Sequence, residues 1–190
     1  MTEWITGVDW TILYGIQSIR CAFLDAVMPV ITHLGSAGIV WIITALAMMF
    51  TKKYRRTGVI MAIGLVLGVI IGNLMIKNLV ARERPCWLDE TVLMLVNVPK
   101  DFSFPSGHTL ASVISAAVLM FSDRRFGFAA LPIAVLIAFS RLYLFVHFPS
   151  DVFCGALLGI AIGLLAWFVG GRLYEAAAKS IAEKRRQKGL

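Results

Sequence analysis

The chain has 190 residues, a length suited to one domain, and 59% of them are hydrophobic while only 15% carry charge. That balance excludes an ordinary water-soluble domain, and the apolar residues fall in long runs of the kind that cross a bilayer. The net charge of +7 does not indicate nucleic acid, because the basic residues cluster at the ends of apolar runs and no basic element is interleaved with exposed aromatics.

Taken in chain order, residues 9–24 place Trp10, Leu13, Ile16, Ile19 and Phe23 on one side of a helix, with Asp9, Gln17 and Arg20 on the others. This pattern predicts an amphipathic helix lying at the membrane surface. No cleavable signal peptide is expected, since Glu3 and Asp9 stand where positive charge would be needed. A first span is predicted over 24–50, kinked or broken at Pro29 and at the Gly35–Gly38 stretch. A second covers 57–76 and ends at Lys77. A third starts after Pro105 and ends near Phe121, a fourth runs over 126–144, and a fifth over 149–171. The third and fifth begin with a proline at or near the first helical position. Small residues recur in both (Ala111, Ser112, Ser115 and Ala116; Gly155, Gly159 and Gly163), which permits close helix packing in lipid. The expected fold class is all-α: a polytopic bundle of five membrane helices preceded by the surface helix. As a single membrane domain over 1–190, it divides into an interfacial helix at 1–24, a bundle at 24–171 and a basic tail at 172–190.

The segments 52–56 and 123–125 and the tail hold 12 of the 18 Lys and Arg residues. Placing them in the cytoplasm sets the N-terminus and the segments 77–106 and 141–150 outside, with the C-terminus inside. Attraction of these clusters to anionic headgroups is a compatible second role. The three cysteines, Cys21, Cys86 and Cys154, fit no zinc or redox spacing. Cys21 and Cys86 fall on the same expected side, so a disulfide between them stays open.

Three short stretches carry chemistry. In the first, Lys77 and Arg84 are seven apart. On a continuing helix they would share a face, about 10 Å apart along the axis, with Pro85 ending it. Two such cations suit an anionic headgroup, although membrane-proximal cations also snorkel to the interface without further purpose. In the second, Pro105-Ser106-Gly107-His108 precedes a helix. Free N–H groups at a helix start cradle phosphate, Ser106 adds a hydroxyl, Gly107 lets the backbone approach, and His108 can give a proton to a leaving oxygen. An ordinary serine cap with a solvated histidine is the plainer alternative. In the third, Arg141, His147 and Asp151 flank the break at Pro149. Asp151 in a first helical turn is favoured by the dipole, and can hold one imidazole nitrogen while the other attacks.

Taken together, Lys-x6-Arg-Pro, Pro-Ser-Gly-His and Ser-Arg-x5-His-x3-Asp make the sequence resemble the type 2 phosphatidic acid phosphatase (PAP2) family, which also includes the vanadium haloperoxidases. The resemblance spans about residues 57–170, and no chemically important position departs from it. It implies His147 as the nucleophile that forms a phosphohistidine, Asp151 as its support, and His108 as proton donor and then activator of water. It implies Lys77, Arg84, Ser106, Gly107 and Arg141 as the groups that hold phosphoryl oxygens. No metal or other cofactor is expected, because cations and backbone dipoles can offset the developing charge, and no carboxylate, Cys or His cluster has metal-site spacing. His33 reads as a packing or interfacial residue. The loop with Glu83, Asp89, Glu90, Lys100 and Asp101 reads as solvated, its Trp87 and Phe102 dipping into the membrane; a lid over the headgroup is the other reading.

The expected activity is hydrolysis of a lipid phosphate or diphosphate outside the cytoplasm of a bacterial plasma membrane, with undecaprenyl diphosphate favoured. Phosphatidylglycerophosphate and phosphatidic acid are alternative substrates. A lipid phosphotransferase and an inactive lipid-binding or transport protein are alternative functions. The expected partners are the bilayer and its lipid phosphate, with no nucleic acid.

Overall fold

Five apolar helices alternate in direction across the molecule, so that the chain's polar breaks collect at two opposite ends. The structure is a computed structural model and describes residues 2–187. Helix α1 (Thr2–Gln17) is followed by α2 (Ala22–Gly35), a single 3-10 turn at Ser36–Gly38, and α3 (Ile39–Phe50). The expected break in the first span is real: Ala37 and Gly38 adopt left-handed conformations there. Helix α4 (Arg55–Gly68) continues through a π-helical stretch (Val69–Ile76) into α5 (Lys77–Val80), and α6 (Pro85–Leu88) is one short turn. Then come α7 (Gly107–Ser122), α8 (Arg124–Tyr143) and α9 (Pro149–Leu165). Helix α9 runs through a second π-helical stretch (Ala166–Gly170) into α10 (Gly171–Gln187).

Four helical stretches are long and apolar enough to cross a bilayer: Ala22–Phe50, Arg55–Leu88, Arg124–Tyr143 and Pro149–Ser180. The fifth, α7, has only 16 residues and sits at the centre, packed by α4, α8 and α9. Its Leu110, Ile114 and Val118 are buried, and its Ser112 and Ser122 bond across to neighbouring helices. Trp41 Nε1 donates to Ser112 Oγ at 2.9 Å, and the Thr57 and Ser122 hydroxyls pair at 2.5 Å. Such bonds and close backbone approach replace the hydrophobic drive that lipid cannot supply. A Cβ at Gly159 of α9 would lie 2.8 Å from Val113 Cβ and 3.1 Å from the Leu110 carbonyl of α7. The outward faces, with Ile43, Leu46, Val66, Leu131, Val135 and Phe153 exposed, form an apolar belt. The protein is an integral membrane protein, all-α in the described residues.

The N-terminal helix departs from its expected bounds. It covers Thr2–Gln17, and the chain turns at 18–21 before α2 begins. It is also docked on protein: Leu13 and Asp9 are buried, and Trp10 meets the Phe148 ring edge-on at 5.0 Å. Arg20 and Asp25, costly if alone in lipid, pair at 3.2 Å, and Tyr143 Oη donates to Asp25 at 2.7 Å. The basic tail is helical through Gln187, and the rest of it lies outside the described residues. All three cysteines are free, with Cys21 exposed and Cys86 buried.

Candidate active site

The end of the bundle that holds the 77–106 and 141–150 segments gathers the ionisable groups of the three motifs. Lys77 and Arg84 do not share one helix face, contrary to the expectation from their spacing. The helix stops at Val80, Ala81 turns left-handed (φ 47), and Arg84 is extended before Pro85 (φ −87, ψ 153), as a residue preceding proline prefers. The reversal still brings both cations together, on Asp101: Lys77 Nζ donates to Oδ2 at 2.5 Å, and Arg84 Nη2 donates to Oδ1 at 2.8 Å.

Ser106 caps α7, its Oγ accepting from Thr109 N at 3.5 Å and Thr109 Oγ1 at 3.0 Å. It is buried behind the cavity described below, whereas Gly107 and His108 line it. The last turn of α8 carries Arg141, a buried cation whose Nη1 donates to Thr32 Oγ1 of α2 at 2.5 Å. A tight turn, with Phe145 left-handed (φ 58), sets His147 ahead of Pro149, the first residue of α9. In that first turn Asp151 Oδ2 accepts from Phe148 N at 2.8 Å, the capping bond expected of an acid there.

His147 is buried, with its two nitrogens in different company. Nε2 accepts from Arg84 Nη1 at 3.1 Å and faces the cationic cluster. Nδ1 stands 3.6 Å from Asp151 Oδ2 and 3.3 Å from Ser103 Oγ, which is itself 2.5 Å from Asp151 Oδ2. The pattern assigns the proton to Nδ1 and the lone pair to Nε2. Burial first, then the charges of Arg84, Arg141 and Lys77, push the imidazole well below its ordinary pKa. Burial would raise the Asp101 carboxyl, but the Lys77 hydrogen bond and the Arg84 charge outweigh it and hold the group at about 2.

Behind Asp151 lies an ionic pair that sequence reading missed. Arg82 Nη1 donates to Asp151 Oδ1 at 2.6 Å, and Nη2 donates to Asp9 Oδ2 at 2.7 Å. Asp9 also accepts from Ser150 N at 2.9 Å and from Ser150 Oγ at 2.5 Å, so α1 is tied to the start of α9. Asp101, Thr32 and Ser103 were equally unsignalled as partners. Arg82 offered one clue: a third cation in the same lipid-adjacent segment requires a partner.

Lys77, Arg84, Gly107, His108, Arg141 and His147 all line one cavity of about 880 Å³. Asp151 and Ser106 stand just behind its wall. Among the described residues three buried side-chain polar atoms have no partner, Asn73 Oδ1, His108 Nε2 and Arg141 Nε, and all three residues line this cavity. Buried polar groups are normally satisfied, so these are poised for a ligand. The cavity continues between α3 and α4, where Ile42, Leu46, Leu65, Val66 and Val69 make it apolar. Among the described residues no group of three or more His, Cys, Asp and Glu could hold a metal. A cationic, hydrogen-bonding pocket with a neutral, oriented imidazole can bind and attack a phosphoryl group.

Comparison with known proteins agrees with this chemistry. Residues 53–174 match the model of the PAP2 superfamily. The chain is 34% identical over 149 residues to an undecaprenyl-diphosphatase of Sulfolobus acidocaldarius, covering 77% of this chain and 71% of that one. It is 36% identical over 146 residues to a decaprenylphosphoryl-5-phosphoribose phosphatase of Mycobacterium tuberculosis, covering 74% and 77%. The fold is similar to the crystal structure of a transmembrane PAP2-type phosphatidylglycerolphosphate phosphatase from Bacillus subtilis, with a TM-score of 0.72 and 28% identity over 88% of this chain and 87% of that one. With its membrane bundle and complete set of motifs, the chain belongs to the PAP2 superfamily, as an integral-membrane lipid phosphatase.

Proposed function

We propose that the chain cleaves a terminal phosphoryl group from a polyprenyl diphosphate or a similar lipid phosphate, through a phosphohistidine at His147 and without a metal. One observation carries this reading. A single cavity joins the cations Lys77, Arg84 and Arg141 to an apolar cleft between α3 and α4, so a charged headgroup and its hydrocarbon tail fit end to end. The similarity to relatives named for undecaprenyl and decaprenyl substrates supports the prenyl choice.

In this reading His147 Nε2 attacks phosphorus, and an N–P bond forms as the P–O bond to the leaving group breaks. His108 gives its proton to the departing oxygen. It then takes a proton from water, whose oxygen attacks phosphorus. The N–P bond breaks, phosphate leaves and His147 is restored. Asp151 supports the Nδ1 side of the imidazole. Lys77, Arg84, Arg141 and the Gly107 N–H steady the non-bridging oxygens as charge builds, while Ser106, buried behind the wall, caps the helix that presents Gly107. The basic clusters at the other end of the bundle favour an active site facing outside the cytoplasm of a bacterial plasma membrane, with a cytoplasmic C-terminus.

The test is phosphate release from undecaprenyl diphosphate by purified protein in detergent containing EDTA. We expect turnover, an acid-labile phosphoenzyme, and loss of turnover by several orders of magnitude in His147→Ala. Ordinary turnover by that variant would remove the nucleophile from the scheme.

A further inference from the structure

Two of the cations proposed to hold the phosphoryl group already hold an anion. The Asp101 carboxylate bridges Lys77 Nζ at 2.5 Å and Arg84 Nη2 at 2.8 Å, as two oxygens of a phosphoryl group would. The rest of the Arg84 guanidinium is engaged too. Nε donates to the Asp101 carbonyl at 2.6 Å. Nη1 donates to the Val146 carbonyl at 2.6 Å and to His147 Nε2 at 3.1 Å, and Nη2 also donates to the Phe102 carbonyl at 3.1 Å. Every N–H of this arginine is therefore in use, and a ligand can gain one only by evicting a partner.

The partners differ in how easily they leave. Three are backbone carbonyls set by the fold, and one is the buried nucleophile. The Asp101 side chain, by contrast, is 58% exposed and sits in the irregular segment between α6 and α7. Arg141 is the opposite case, buried in the same cavity with Nε unpartnered. The site thus offers an incoming anion one open cation and two occupied ones.

We propose that Asp101 is a resident anion that a phosphoryl group must displace from Lys77 and Arg84, and that this exchange selects terminal phosphoryl groups over phosphodiesters. The inference rests on the phosphatase reading for the identity of the incoming anion. A terminal phosphoryl group approaches the doubly charged state and presents three acceptor oxygens, so it outbids a carboxylate for two cations. The phosphodiester of a bulk membrane lipid has one charge and two free oxygens, and gains nothing by the exchange. In a bilayer crowded with diesters, a built-in competitor keeps the cations from being occupied unproductively.

The experiment compares wild type with Asp101→Asn and Asp101→Ala in detergent, titrating orthovanadate and inorganic phosphate by calorimetry. We expect both ions to bind the variants at least about tenfold tighter, since a like charge at the site is removed. In turnover assays, KM for the lipid phosphate should fall without a rise in kcat, and phosphatidylglycerol should begin to inhibit. Unchanged or weaker vanadate binding in the variants would overturn the proposal and make Asp101 a clamp that holds the cations in place. Should neither variant fold, the wild type decides: in a structure with orthovanadate bound, Asp101 must have left Arg84, and a persisting bridge overturns the idea. Wild type that binds vanadate but hydrolyses no lipid phosphate would defeat the phosphatase reading and leave the Asp101 exchange standing.

Discussion

His147 Nδ1 and Asp151 Oδ2 stand 3.6 Å apart, beyond a good hydrogen bond, and the Ser103 hydroxyl bridges the gap. Support for the proposed nucleophile therefore passes largely through a third residue. Ser103→Ala should lower the rate of phosphoenzyme formation about 10- to 100-fold, the usual effect of removing a group that orients a reactive one. Ser103→Thr keeps the hydroxyl and should recover most of the rate. Rapid-quench measurement with labelled lipid phosphate checks both. Wild-type kinetics in the alanine variant would show that Asp151 reaches the imidazole unaided.

Arg82 holds two buried carboxylates, Asp151 at 2.6 Å and Asp9 at 2.7 Å. Arg82→Ala strands both charges, and breaking such a pair costs about 3 kcal/mol or more. The thermal midpoint in detergent should fall clearly, and activity should fall with it. Arg82→Lys restores charge without the two-pronged geometry and should recover only part of each. An unchanged midpoint in the alanine variant would show that the network contributes no stability.

Acid should destabilise the protein in two steps. His147 is held well below its ordinary value of 6.5, so below that pH the unfolded chain binds a proton that the folded protein refuses. Stability from this residue is complete above about 6.5 and declines as pH drops. Asp101, held at about 2 against an ordinary 3.8, contributes above 3.8 and loses that contribution as pH falls toward 2. Unfolding midpoints recorded from pH 8 to 3 should decline first below about 6.5 and again below about 4. Because His147, the proposed nucleophile, stays neutral, it should add no acid limb near 6.5 to the kcat/KM profile. A stability curve flat from pH 8 to 5 would contradict the buried neutral imidazole.

Gly159 lets α7 and α9 touch, and these helices carry His108 and Asp151 near their starts. A leucine there would collide with Val113 Cβ and the Leu110 carbonyl, 2.8 and 3.1 Å from the added Cβ. Overpacking of this kind costs about 1–3 kcal/mol, and the turns that carry His108 and Asp151 should separate. Gly159→Leu should lose both thermal stability and turnover. Ala161→Leu, on the exposed side of the same helix, should lose neither, which separates packing from hydrophobicity in the same assay.

Much of this was legible in the sequence, and the failures have identifiable causes. Apolar run length found the spans, and Pro85, Pro105 and Pro149 marked the turns around the cavity. Convergence of Lys77, Arg84, His108, Arg141 and His147 needed only the three motifs. The geometry between Lys77 and Arg84 did not follow from spacing, because the helix is stopped by a left-handed alanine, Ala81, a residue type that gives no such warning. Periodicity treated Asp9 as part of a solvated face, yet its partners lie 73 and 141 positions away, at Arg82 and Ser150. Ser103 could not be found, since a serine outside the motifs is chemically ordinary until folding places it between an imidazole and a carboxylate.

Helix α7 has 16 residues and so measures about 24 Å, against a hydrocarbon thickness of about 30 Å. With Asp123 and Arg124 set at one interface, a helix of that length would end at Gly107 several ångströms short of the opposite hydrocarbon boundary. A phosphoryl-binding site at that depth would sample only molecules already dissolved in its own leaflet. Its velocity should track the mole fraction of substrate in the surface, and added inert amphiphile should slow it even when the bulk concentration is held fixed.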